Sequence, residues 1–215
     1  MATFALIHGA GDVGWYWHRV EAELRARGHD TVAPDLPCDD DTAGLADYAD
    51  TVVAAIGDRS GDLVVVAQSL GGFVAPLVAE RVPATLMVLV APMIPMPGEA
   101  PADYWTDTGY TSEGQYDDEI ALFYQDVEPA LAAEAVRHGR RQSEARLSEP
   151  SPLVAWPRVP TKVVICRDDR LMPVAFQRRV ARERLGITPD EIEGGHTPAL
   201  SRPGELARRL HDYVA

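Results

Sequence analysis

Residues 64–73 read Val64-Val65-Val66-Ala67-Gln68-Ser69-Leu70-Gly71-Gly72-Phe73. The valine run is a buried strand by composition, and Leu70, Phe73, Val74, Leu77 and Val78 then recur at helical spacing. A strand that passes directly into a helix puts the intervening serine on a tight turn, where the residues two positions away must be small. Ala67 and Gly71 meet that demand, with Ala67 standing where the usual pattern G-x-S-x-G has its first glycine. The helix start behind Ser69 offers free backbone N–H groups and a positive dipole end, so the amide of Leu70 is a candidate oxyanion donor. A helix-capping serine has the same local signature. The rest of the chain has to decide between a nucleophile and a cap.

Outward from this stretch, short apolar runs alternate with helical stripes. Strands are expected at 3–7, 31–33, 63–67, 86–90, 162–165 and 190–192, with helical faces marked by Trp17, Val20 and Leu24, by residues 174–185, and by Leu206 and Leu210. That alternation predicts an α/β fold with a six-stranded parallel sheet flanked by helices on both faces. Pro76 falls inside the helix after Ser69 and predicts a bend or a missing backbone bond there. Residues 93–160 break the rhythm, carry twelve acidic residues against five arginines, and predict a small helical cap with one helix over 119–141. Length fits a single domain spanning 1–215.

Two further segments complete a hydrolytic pattern. Asp168 and Asp169 follow the apolar strand at 162–165, at the edge where α/β folds place their sites, and either can be the acid. His196 sits in Glu193-Gly194-Gly195-His196-Thr197-Pro198, on a loop whose glycines allow close approach. Ser, Asp and His occur in that order, each just beyond a strand. His18, His29, His138 and His211 are expected to be structural or solvated. His8, in His8-Gly9-Ala10-Gly11 after the first strand, shapes a loop that offers the backbone N–H of Ala10 as the second oxyanion donor.

A net charge of −13 argues against nucleic acid as a partner, and no apolar run is long enough to span a membrane. Cys38 and Cys166 lack the spacing of zinc or redox sites and are expected to be reduced. A cytoplasmic protein with no metal and no cofactor is expected.

With these residues assembled, the chain resembles the α/β-hydrolase superfamily over residues 3–92 and 160–214. Its Leu6-Ile7-His8-Gly9-Ala10-Gly11-Asp12-Val13-Gly14-Trp15-Tyr16-Trp17-His18 and Pro34-Asp35-Leu36-Pro37 are most similar to the plant methyl esterase and hydroxynitrile lyase branch. The resemblance implies the spatial strand order 2-1-3-4-5-6, with right-handed crossovers. It also implies that the acid is the Asp three residues before the Met172-Pro173 step, Asp169, with Asp168 second. Cyanohydrin-cleaving relatives carry a lysine after the histidine and a threonine after the first-strand histidine. This chain has Thr197 and Gly9 there. Ser69 separates it from the branches with an aspartate nucleophile. The expected activity is hydrolysis of a small, fairly apolar ester, with Met93, Met96, Tyr104, Trp105, Phe123 and Tyr124 as candidate pocket lining. Rival readings are a C–C hydrolase, lyase or thioesterase on the same residues, and a ligand-binding receptor with a vestigial site.

Overall fold

The computed structural model describes residues 1–59, 61–112, 114, 116 and 118–215. Six parallel strands, β1 (Ala2–Ile7), β2 (Asp30–Val32), β3 (Asp62–Gln68), β4 (Ala84–Val90), β5 (Thr161–Cys166) and β6 (Asp190–Ile192), pair in the order β2-β1-β3-β4-β5-β6. The expected strands and their spatial order are therefore correct, with ends moved by one or two residues. All five ladders are parallel, and β3 at the centre pairs with β1 and β4 over nearly its full length.

Among the described residues the helices are α1 (His18–Ala26), α2 (Leu45–Ile56), α3 (Ala75–Ala79), α4 (Tyr104–Asp107), α5 (Glu119–Phe123), α6 (Pro129–His138), α7 (Val174–Leu185), α8 (Pro198–Ser201) and α9 (Pro203–Asp212). Successive strand residues point to opposite faces, so both faces of this sheet need cover. Ile7, Val65, Ala67, Leu89 and Ile165 pack under α2, α3 and α7, while Phe4, Leu6, Val64, Val66 and Val164 pack under α1 and α9. Helix α2 escaped the stripe reading, although Leu45, Tyr48, Ala49, Val52 and Ile56 form its buried face.

Two local expectations need correcting. The helix after Ser69 is divided into a 3-10 turn, Ser69–Phe73, and α3, so Pro76 falls in the first turn of α3. A first-turn N–H has no intrahelical acceptor to lose, and Pro76 therefore neither bends α3 nor costs it a bond. The helix expected over 119–141 is two helices, α5 and α6, because Pro129 starts α6. Proline disfavours helical backbone in the residue before it, and Glu128 has ψ 133°.

The segment between β4 and β5 folds back across the carboxyl edge of the sheet. Glu113, Gln115 and Asp117 of this cap lie outside the described residues. Its root is pinned to α7 by a buried ion pair, in which Arg184 reaches Glu99 at 2.7 Å. Arg184 also donates to the Ile94 carbonyl at 2.6 Å and lies over the Tyr104 ring.

Candidate active site

The sheet presents three loop residues at its carboxyl edge: Ser69 directly after β3, Asp169 after β5 and His196 after β6. All three are buried. Ser69 has φ 51°, a left-handed conformation unusual for a residue with a Cβ. Strain of that kind costs roughly 1–3 kcal/mol and persists only where the surroundings impose it. Here the Met93 N–H donates to the Ser69 carbonyl at 3.0 Å, and the elbow interlocks with the loop after β1. A Cβ on Gly71 would lie 2.9 Å from the His8 carbonyl oxygen, and one on Gly9 would strike Gln68 Oε1 at 2.4 Å and Ser69 Cβ at 3.1 Å. A side chain at Gly71 would thus press on backbone and one at Gly9 would have to displace the Gln68 amide, so the loop carrying Ala10 packs closely against the Ser69 turn.

His196 joins the two others. Its Nδ1 is 2.8 Å from Asp169 Oδ2 and its Nε2 is 3.1 Å from Ser69 Oγ. A carboxylate can only accept, so Nδ1 carries the proton and Nε2 is left as an acceptor facing the serine hydroxyl. Asp169 is itself fixed: Oδ1 accepts the N–H groups of Leu171 and Met172, each at 2.9 Å, and Gln177 Nε2 donates to Oδ2 at 3.2 Å. Asp168 faces elsewhere. Its carboxylate accepts the Gly194 N–H at 3.1 Å and its carbonyl accepts Gln125 Nε2 at 2.8 Å. Of the two aspartates, only Asp169 meets the imidazole.

The histidine loop is held from both sides. Gln68 Nε2 donates to the His196 carbonyl at 3.0 Å. From the cap, Asp126 Oδ2 accepts the Gly195 N–H at 3.0 Å, and the Thr197 hydroxyl donates to the Phe123 carbonyl at 2.7 Å. Gln68, Gln177 and Asp126 carried no sequence signal, since a polar residue near a motif is common and only folding shows what it reaches.

His8 acts on the opposite loop. The Leu36 N–H donates to its Nε2 at 3.0 Å, which leaves Nδ1 to donate to the Gly9 carbonyl at 2.8 Å. That carbonyl belongs to the peptide unit whose N–H is Ala10's, so the neutral imidazole fixes the plane of the candidate oxyanion donor. Burial disfavours the imidazolium and lowers the His8 pKa to about 4. An unfolded histidine titrates near about 6.5. The stability from a neutral His8 is therefore complete above about pH 6.5 and falls as pH drops toward 4, by roughly 3 kcal/mol in all. Denaturant melts across this window are expected to show that loss, and His8→Asn, which cannot titrate, to flatten the slope while lowering the plateau. An equal slope in the variant would assign the loss to other groups.

Ser69 and His196 open into a cavity of about 630 Å³. Ala10, Leu70, Met93, Trp105, Phe123 and Tyr124 are on its wall. Both oxyanion candidates thus flank Ser69, and the Leu70 N–H lies in the first turn of its helix, where no intrahelical acceptor is available. Tyr104 does not line the cavity. It is fully buried, edge-on to Phe73 and bonded to the Ile94 N–H, because Arg184 and the cap root draw it into the core. Met96 is about half exposed and also lies off the wall. The wall adds polar residues that the apolar expectation omits, among them Asp12, Glu119, Arg140 and Glu144. Cys38 and Cys166 are free and buried, and burial raises the pKa of both thiols, the direction that makes them unreactive.

The family model described as "Alpha/beta hydrolase family" matches residues 4–209. Among curated proteins, the chain is 26% identical to Methylesterase 7 of Arabidopsis thaliana, over 96% of this chain and 94% of that one. It is also 26% identical to Salicylic acid-binding protein 2 of Nicotiana tabacum, over 96% of this chain and 95% of the relative. Among solved structures, that of polyneuridine aldehyde esterase superimposes over 100% of both chains with a TM-score of 0.85 at 20% identity. The extracellular alpha/beta-hydrolase from a Paenibacillus species covers 99% of this chain and 98% of its own, with a TM-score of 0.78 at 20% identity. A central six-stranded parallel sheet, a serine on a strained turn after β3 and a family match over nearly the whole length lead to one conclusion: the chain belongs to the α/β-hydrolase family.

Proposed function

We propose that the protein is a serine carboxylesterase, with Ser69 as nucleophile, His196 as general base and acid, and Asp169 as the orienting carboxylate. One observation carries the reading: the unbroken line of hydrogen bonds from Ser69 Oγ through His196 to Asp169 at the floor of the cavity. In this mechanism Nε2 takes the hydroxyl proton as Oγ attacks an ester carbonyl. The backbone N–H groups of Ala10 and Leu70 hold the oxyanion, and His196 returns the proton to the departing alcohol. Water, activated by the same imidazole, then resolves the acyl-enzyme. Met93, Trp105, Phe123 and Tyr124 favour a mainly apolar ester, the polar wall residues aside. The curated relatives include methylesterases, which supports ester hydrolysis as the reaction type.

Cyanohydrin cleavage on the same residues has less support. Cyanide departs as an anion, and Thr197, beside the imidazole, offers no charge and already donates its hydroxyl to the Phe123 carbonyl. Purified protein is expected to be labelled at Ser69 by a fluorophosphonate and to hydrolyse short acyl or methyl esters, with no cyanide from mandelonitrile above the buffer blank. Cyanide release that vanishes in Ser69→Ala, without ester turnover, would make the protein a lyase. Absence of labelling and of turnover alike would favour a receptor.

A further inference from the structure

Asp12 lies on the wall of the Ser69 cavity, in the loop that also carries Ala10. Its Oδ1 accepts the Val13 N–H at 2.9 Å, and among the described residues its carboxylate has no cationic partner. The arginine on the same wall, Arg140, turns its guanidinium to Asp35 at 2.8 Å. The remaining charges on the wall, Glu119 and Glu144, are negative. Burial pushes the Asp12 carboxyl up to about 7, and the charges of Glu119 and Asp35 act in the same direction. Tyr16, Tyr124 and Cys38, the other titratable groups that feel it, are neutral phenols and a neutral thiol. An ionised Asp12 is thus a charge that the fold itself leaves uncompensated.

The walls around it are aromatic. Trp105, Phe123 and Tyr124 all line the same cavity, and aromatic rings attract a cation through their quadrupole. Two independent features, the aromatic lining and the unpaired carboxylate, therefore favour the same kind of ligand group. Resting on the esterase reading above, we infer that Asp12 is a specificity-determining residue that selects esters bearing an ammonium-type cation over neutral isosteres and over esters bearing a carboxylate. A substrate carboxylate would meet three acidic side chains and a guanidinium that Asp35 already holds. The carboxylate product released from Ser69 meets the same field, which speeds its departure.

The test compares three acetate esters of similar size at about pH 8.5 and low salt, where Asp12 is ionised. They are the 2-(trimethylammonio)ethyl ester, its neutral isostere 3,3-dimethylbutyl acetate, and a counterpart carrying a carboxylate on the alcohol. The cationic ester is expected to exceed the neutral one in kcat/KM by at least about tenfold, and the anionic ester to be the poorest. Asp12→Asn keeps an oxygen to accept the Val13 N–H and removes only the charge. It should bring the cationic-to-neutral ratio below about threefold, whatever its absolute rate. A wild-type ratio near one, or a ratio unchanged in Asp12→Asn, would overturn the inference. Protection of Ser69 from a fluorophosphonate by the trimethylammonium alcohol, against protection by 3,3-dimethylbutanol, reads the same preference without turnover. Labelling of Ser69 with no preference between the two alcohols overturns this inference alone. A protein not labelled at Ser69 overturns the esterase reading and this inference with it.

Discussion

Ser69→Ala is expected to lower kcat on a short ester by about 10⁴–10⁶, leaving only what the oxyanion donors and substrate binding contribute. The magnitude follows from the unit nature of the three residues. Without Oγ there is no acyl-enzyme, and the imidazole, still oriented by Asp169, has no nucleophile to deprotonate. The loops interlocked around position 69 meet its backbone and its Cβ, which alanine keeps, so the variant should fold. Alanine inherits the left-handed φ of 51° and with it a strain cost the serine already bears. The measurement is kcat on protein free of host esterases, together with a thermal melt to show that the fold is intact. Near-wild-type turnover in a folded variant would remove Ser69 from the mechanism.

The second large effect separates the two adjacent aspartates. Asp169→Asn is expected to cut kcat by about 10⁴, and Asp168→Asn by less than about tenfold. In the first variant the amide can keep one oxygen for the Leu171 and Met172 N–H groups, but the atom facing His196 Nδ1 becomes a donor. The imidazole then settles in the other tautomer, with a proton on Nε2 pointing at Ser69, and cannot accept the hydroxyl proton. Asp168 makes its carboxylate contact to the Gly194 N–H at 3.1 Å, and an asparagine oxygen can take the same bond. Kinetics of both variants at matched stability decide the matter, and the reverse ranking would exchange the two roles.

Much of this fold was legible because strand and helix periodicities differ and the chain alternates them cleanly. The runs at 3–7, 63–67 and 86–90 are apolar on both faces, which is what central parallel strands require, and their order in the sheet came from the family resemblance. The elements that escaped were those ruled by a neighbour. Helix α2, largely apolar itself, carries an ordinary amphipathic face that begins just after the polar residues 39–42. Pro76 and Pro129 reset helix starts whose positions depend on turns before them. In the site, Ser69 and His196 announced themselves through small residues that suit a tight turn or close approach, and the family resemblance favoured Asp169.

Three things rest on tertiary structure. Tyr104 belongs to the core and not to the pocket, since Arg184 and Phe73, distant in sequence, claim it. Asp12 gained its uncompensated position when Asp35 captured Arg140 across 105 residues of chain. Asp169 and Asp168, adjacent and chemically identical, were separated by which one the β5 exit aims at the imidazole. Periodicity and turn chemistry are local, so the sequence by itself determined the parallel strands, their flanking helices and the serine and histidine loops. Side-chain partners, burial and charge compensation depend on groups far apart along the chain, and only the folded packing could assign them.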